Sequence, residues 1–370
     1  MPASRASIET VIALFAGEGY GHAEPAILQP ADVFLDLSGE DIRRRIFMTQ
    51  DVDGRDWCLR PEYTIPVALD HIASGSTEPA AYGYAGPVFR MRAGEPGEFQ
   101  QAGIESFGRA DFTAADAEIM GLTIEATAAL GLQAPRILMG DVALLGALLD
   151  RLAVPQGARR RLVRAIVQGR GTQAVAALDP PLAEGEAAHA GLLKALEGQD
   201  PKAARAFVED VLSIAGISTV GGRSAADIAE RFLARAAERE NPINGDVKAL
   251  LAQVLGVSGD PDTASAALRA LADQASLDLG RELDAFDERT GFLAARGVDV
   301  GAIGFSAGFA RNLDYYTGFI FELHDPARGD GKPVAGGGRY DNLLGRLGAK
   351  RAIPAVGASL WLDRLAGETP

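Results

Sequence analysis

Apolar and polar positions change texture three times along the chain. Between Val33 and Asp70 apolar stretches alternate with polar breaks, and Tyr82 to Gly108 mixes aromatics with Gly and Pro, a pattern of strands joined by turns. Thr113, Asp116 and Glu118 precede a run from Ile119 to Leu132 whose apolar spacing suits a helix ending at Gly131, with a strand next around Arg136 to Met139. From about Asp141 to Gly297, Ala, Leu, Arg and Glu recur at helical spacing, broken at Pro180-Pro181, Gly221-Gly222 and Asn241-Pro242. Ser224 before Ala225 to Arg235, and Ser276 before Leu277 to Thr290, read as helix starts. Sheet texture returns at Val298. Tyr315 to His324 is aromatic and β-branched, Pro326 to Lys332 turns, and the chain then runs into Gly336-Gly337-Gly338, which predicts an antiparallel hairpin. The pattern predicts an α+β protein with a discontinuous core, residues 1–140 and 298–370, interrupted by a helical insert at 141–297.

A length of 370 residues supports this division, because single cores stop growing before that size. With 47% hydrophobic and 23% charged residues the chain reads as an ordinary folded domain. The single cysteine, Cys58, excludes an internal disulfide framework and points to a reducing compartment. His22, His71, His189 and His324 lack ligand spacing, so no metal site is expected. Met1 to Gly21 carries neither a signal-peptide pattern nor a membrane span, which suggests a cytoplasmic protein. A net charge of −14 argues against non-specific nucleic-acid binding, which needs clustered cations.

Chemistry concentrates in four segments. Arg60-Pro61-Glu62-Tyr63-Thr64 reads either as a strand-to-helix turn capped by Thr64, or as a carboxylate and a hydroxyl held rigidly for an ammonium group. Gly86 to Arg90 and Gln101 to Gly108 flank a Gly/Pro loop. On the returning strand Gln101, Gly103 and Glu105 share one face, as a polar pocket floor or as a solvated face with an Arg90 to Glu105 ion pair. Arg311-Asn312-Leu313-Asp314-Tyr315-Tyr316 gathers a guanidinium, a carboxylate and two phenols, and Gly336 to Asp341 offers glycines that let backbone approach a ligand.

In order and spacing these segments resemble histidyl-tRNA synthetase, a class II aminoacyl-tRNA synthetase with an antiparallel sheet core. Glu24 to Leu28 resembles its motif 1 dimerisation strand, Leu59 to Thr64 its LRPE-x-T segment and Gly86 to Gly108 its motif 2. Arg311 to Tyr316, Gly336 to Leu343 and Ile353 to Arg364 resemble its R-G-L-D-Y-Y, G-G-R-Y-D-x-L and motif 3 elements. The resemblance implies a pocket for free histidine and no cofactor. Glu62 and Thr64 would take the α-ammonium, Gln101 and Arg311 the α-carboxylate, and Glu105 and Tyr316 the imidazole nitrogens, with Arg90, Tyr315, Arg339 and Tyr340 nearby. A buried zwitterion needs acceptors at one end and a charged donor at the other to offset desolvation.

Three departures fall where nucleotide and tRNA would be handled. Motif 2 normally reads F-R-x-E, but here reads Phe89-Arg90-Met91-Arg92, turning a carboxylate into a cation. Motif 3 normally holds a second glycine where this chain has Trp361, although Arg364 persists; overpacking a formed nucleotide pocket is costly. The sequence also ends six residues after Arg364, where a synthetase places an anticodon-binding domain. A histidine pocket with a degenerate nucleotide site at Arg92, Trp361 and Arg364 resembles the regulatory subunits of short-form ATP phosphoribosyltransferase. Membership of that family implies a non-catalytic homodimer inside a hetero-oligomer with the short catalytic subunit, binding free histidine but no tRNA and no membrane. A compact histidyl-tRNA synthetase is the competing reading.

Overall fold

The computed structural model describes residues 5–37, 43–179, 206, 210, 219–220, 223–224, 242–311 and 315–365. They belong to two compact units, Met1–Leu148 with Val257–Pro370, and Leu149–Gly256. The first unit opens with α1 (Arg5–Gly17), β1 (Gly21–His22), β2 (Leu28–Pro30), α2 (Ala31–Leu37), β3 (Met48–Gln50), β4 (Asp56–Leu59) and α3 (Thr64–Ser74). The hairpin of β5 (Ala80–Phe89) and β6 (Glu98–Phe107) follows, then α4 (Phe112–Ala129), β7 (Arg136–Asp141) and α5 (Val142–Arg151). The second unit contains α6 (Gln156–Val167), a 3-10 helix (Gly171–Leu178), β8 (Thr219–Val220), β9 (Arg223–Ser224) and α7 (Gly245–Leu255). The first unit resumes with β10 (Ser258–Gly259), α8 (Pro261–Gln274), α9 (Gly280–Ala295), β11 (Ile303–Ser306), β12 (Phe319–His324), β13 (Ala335–Arg339), α10 (Leu343–Arg346), β14 (Ala355–Trp361) and α11 (Leu362–Leu365).

Nine strands form the main sheet in the order β1-β5-β6-β14-β13-β12-β7-β11-β10, and β2-β4-β3 form a small second sheet. Neighbours run antiparallel except β1 beside β5 and β11 beside β7, so the sheet is mixed toward its edges and antiparallel through its centre. Its central strands are buried on both faces, β13 at every position, which is why β13 reads Ala-Gly-Gly-Gly-Arg instead of alternating apolar and polar residues. Helix α4 packs across β6, β14 and β13, and α9 lies beside α4.

Several expectations need adjustment. The Val33 to Asp70 segment contains helices α2 and α3 as well as strands β3 and β4. Pro66 stands in the first turn of α3, where its missing N–H would have no helical partner anyway, so two prolines close together start a helix here. Ser276 ends α8 instead of starting a helix: it is left-handed at φ 54°, and its N–H donates back to the Asp273 carbonyl at 3.0 Å. The helix after it begins only at Gly280. Ser224 lies in β9, and the helix predicted over residues 225–235 lies outside the described residues. Residues 257–297, read by texture as insert, belong to the first compact unit. Helices covering a sheet and helices of an insert share the same amphipathic spacing, so texture alone does not separate them. No helix of the described residues is long and apolar enough to cross a membrane.

Candidate functional site

The strand register lays out one face of the main sheet residue by residue. Tyr84 pairs with Gly103, Gly103 with Ser359, Ser359 with Gly336, and Gly336 with Glu322, giving a thin row bounded by a phenol and a carboxylate. The neighbouring row runs Tyr82, Glu105, Gly357, Gly338, Ile320. Small residues in the middle strands leave space above the sheet, and larger polar residues at the sides reach across it.

Glu105 is the centre of that reach. It is 1% exposed, and both carboxylate oxygens accept from hydroxyls: Oε1 from Thr64 at 2.7 Å and from Tyr84 at 3.1 Å, Oε2 from Tyr340. Burial pushes its pKa up to about 8, against the lowering effect of the three hydroxyls. Gly357 makes the arrangement sterically feasible, because a Cβ there would fall inside the Glu105 carboxylate. The backbone of β14 is paired on both sides and cannot retreat. Gly357→Ala is therefore expected to cost about 1–3 kcal/mol as overpacking, read by denaturant unfolding. An unchanged midpoint would mean that Glu105 swings aside freely.

Glu62, and not Thr64, caps α3. Its Oε2 accepts from the Thr64 N–H at 2.7 Å and its Oε1 from the Ile65 N–H at 2.9 Å, a carboxylate at a helix N-terminus that leaves the Thr64 hydroxyl free to reach Glu105. Burial raises the Glu62 pKa, opposed by these bonds and by the charge of Arg90. Arg90 donates to the Pro61 carbonyl at 2.7 Å, so the structure replaces the Arg90 to Glu105 ion pair with a backbone anchor beside Glu62. Gln101 is 2% exposed, and its Oε1 is buried without a hydrogen-bond partner. Such an atom is costly unless something donates to it.

Arg311 lies over Gly336, where a Cβ would collide with its guanidinium. It donates to the Phe321 carbonyl at 2.9 Å, approaches Glu322 at 3.6 Å, and stacks toward Tyr316 with 5.7 Å to the ring centroid. Tyr316 packs on Tyr315 at 5.1 Å, and Tyr315 meets Tyr340 edge to face at 5.6 Å. Residues 312–314 between them lie outside the described residues. The structure thus gathers Glu62, Thr64, Arg90, Glu105, Arg311, Tyr315, Tyr316 and Tyr340 around the glycine floor, with Gln101 further along β6. Arg339 points the other way, onto Asp116 of α4. Tyr84 and Ser359, joined at 3.1 Å, escaped the sequence reading. The alternation that paired Gln101 with Glu105 would have found Tyr84 once the hairpin register was known.

At the far end of the floor, Arg92 lies on the face of Phe99 at 4.2 Å and donates to Glu95 at 2.7 Å. Lys332 also pairs with Glu95, tying this loop to the turn after β12. Arg364 lies on Trp361 at 4.7 Å and donates to the Pro333 carbonyl. Burial, with Arg328 and Arg92 close by, lowers its pKa to about 10. Arg92 and Arg364 thus each hold a guanidinium over an aromatic ring, Phe99 and Trp361 respectively.

Comparison with known proteins places this geometry in context. The family model for histidyl-tRNA synthetase matches residues 3–220 and 207–365. An ATP phosphoribosyltransferase regulatory subunit of Mesorhizobium japonicum is 42% identical over 357 residues, 95% of this chain and 94% of that protein. One from Brucella canis is 40% identical over 353 residues, 92% and 91% of the two chains. Among solved structures, an ATP phosphoribosyltransferase regulatory subunit/histidyl-tRNA synthetase from Bacillus halodurans superposes with a TM-score of 0.68 at 20% identity, covering 98% of this chain and 78% of that one. A histidine–tRNA ligase subunit from Alicyclobacillus acidocaldarius gives 0.58 at 25% identity, covering 98% and 91%.

Proposed function

Since this chain belongs to the ATP phosphoribosyltransferase regulatory subunits, a branch of the histidyl-tRNA-synthetase family with its class II fold, we propose that it binds free histidine and tunes a catalytic partner without catalysing a reaction itself. The observation that carries this reading is Glu105, a buried carboxylate ringed by three hydroxyls above a floor of small residues. Imidazole fits such a centre, because it presents one N–H donor and one acceptor to a group that can hold or give up a proton near neutrality. In this reading Glu62 and Thr64 take the α-ammonium, and Arg311 and Gln101 the α-carboxylate. Tyr316 shares the imidazole with Glu105, while Arg90, Tyr315 and Tyr340 wall the site.

A cation at Arg92 where motif 2 carries a carboxylate, and the bulk of Trp361 where motif 3 carries a glycine, support the absence of histidyl-adenylate formation and of tRNA charging. The partner in this reading is the short catalytic ATP phosphoribosyltransferase subunit, and the setting is the cytoplasm. A homodimer is favoured by the apolar surface around the small sheet, where Ile27, Leu28 and Met48 are each more than 40% exposed. The decisive experiment is a steady-state assay of the catalytic subunit with and without this chain, across a histidine titration. Activity is expected to depend on this chain and to fall in a graded way as histidine rises, the coupling being typically about 1–3 kcal/mol. A catalytic subunit indifferent to the chain, or histidine-dependent pyrophosphate exchange by the chain alone, would defeat the proposal.

A further inference from the structure

Behind the site, on the helix-covered face of the sheet, lies a buried charge cluster. Asp116 of α4, 1% exposed, accepts from Arg289 of α9 at 3.0 Å and from Arg339 of β13 at 2.9 Å. Arg289 continues to Asp141 at the end of β7 at 3.0 Å, and Arg339 to Asp341 at 2.8 Å. Removing so much charge from water is expensive, and apolar residues of similar volume commonly serve stability as well or better. What the charges add is geometry.

That geometry ends at the site. Arg339 and Tyr340 are consecutive and turn to opposite faces of the sheet, so anchoring one aims the other. The Arg339 carbonyl accepts from the Thr317 N–H at 2.8 Å, directly after Tyr315 and Tyr316. Asp341 donates its N–H to the Thr317 hydroxyl at 3.0 Å and accepts the Ala355 N–H at 2.9 Å. The cluster therefore grips both backbone segments that carry the tyrosines of the site. We propose that Asp116, Arg289 and Arg339 are positioning residues, holding Tyr340 on Glu105 from the opposite face of the sheet. Their effect on histidine affinity rests on the reading given under Proposed function.

The test uses the full chain carrying Arg289→Met, Arg289→Lys, Tyr340→Phe and the Arg289→Met/Tyr340→Phe pair, with histidine as titrant. Arg289→Met is expected to weaken binding by about 2- to 30-fold, the range for residues that modulate a site without touching its ligand. In the Tyr340→Phe background the same change should have little further effect, because the bond it positions is already gone. Arg289→Lys, which retains the charge but loses the fork, should fall between, and serves if the methionine variant fails to fold. Equal losses in both backgrounds, or unchanged affinity, would overturn the proposal. Wild-type chain that binds no histidine would instead sink the histidine reading. Near-ultraviolet circular dichroism without histidine then decides the positioning claim, since Arg289→Met must lose the tyrosine band component that Tyr340→Phe removes, and an unchanged spectrum refutes it.

Discussion

Glu105→Ala is expected to weaken histidine binding by about 10- to 150-fold in isothermal titration, the consequence of losing a charged hydrogen-bond partner worth roughly 1.5–3 kcal/mol. The fold should survive the change. A carboxyl whose folded pKa is raised loses stability as pH rises from its unfolded value near 4.5 through about 8, so Glu105 costs stability at neutral pH instead of supplying it. A stable variant with weak binding is the pattern of a site residue held at the expense of stability. The raised pKa also sets a pH signature. On the proposed reading, histidine binds with one proton shared between Glu105 and the imidazole. Below the free imidazole pKa, about 6.5, a second proton must leave on binding, and above about 8 one must be taken up. Affinity should therefore peak between these values and decline on both sides. Glu105→Gln should retain the acid limb but lose the part of the alkaline decline that begins near pH 8. Titration curves unchanged for Glu105→Ala would remove Glu105 from the site.

Arg311→Ala should move the midpoint of histidine inhibition in the reconstituted complex to roughly 10- to 150-fold higher histidine, since a buried guanidinium facing a carboxylate makes a charge-assisted bond. The variant leaves the Phe321 carbonyl without its guanidinium donor and opens space over Gly336, so its own melting temperature must be recorded alongside. Activation of the catalytic subunit without histidine should persist. Loss of both activation and inhibition would indicate a damaged interface, and a midpoint that stays in place would separate inhibition from this site altogether.

Both predictions depend on one construction principle. Glycines in the central strands let large polar groups lie flat over the sheet, so Glu105 rests on Gly357 and Arg311 on Gly336. The buried charges behind the sheet then fix the strand ends from which the tyrosines project. Thinness on one side and rigidity on the other serve the same few side chains.

Much of this was determined by sequence alone. The β5–β6 and β12–β13 hairpins followed from aromatic and β-branched runs separated by Gly- and Pro-containing turns, because those signals are local to the backbone. Apart from Tyr84 and Ser359, the residues now gathered around Glu105 were named from motif order, since each motif carries its side chains at fixed spacing on one element. The departures at Arg92 and Trp361 were equally visible as altered side-chain types. Other features were decided only in three dimensions. That α9 belongs to the core emerged only when Leu283, Phe286 and Leu293 were buried and Arg289 met Asp116, 173 positions away in sequence. Thr64 proved to be the first residue of α3, so Glu62 accepts from the leading N–H groups and the Thr64 hydroxyl goes to Glu105, 41 residues distant. Arg339, expected near the site, turned to the opposite face because strand geometry sends it there while Tyr340 goes forward. Spacing along a chain specifies which groups share an element, but the partner each charge selects depends on register and burial, which exist only once the strands have paired.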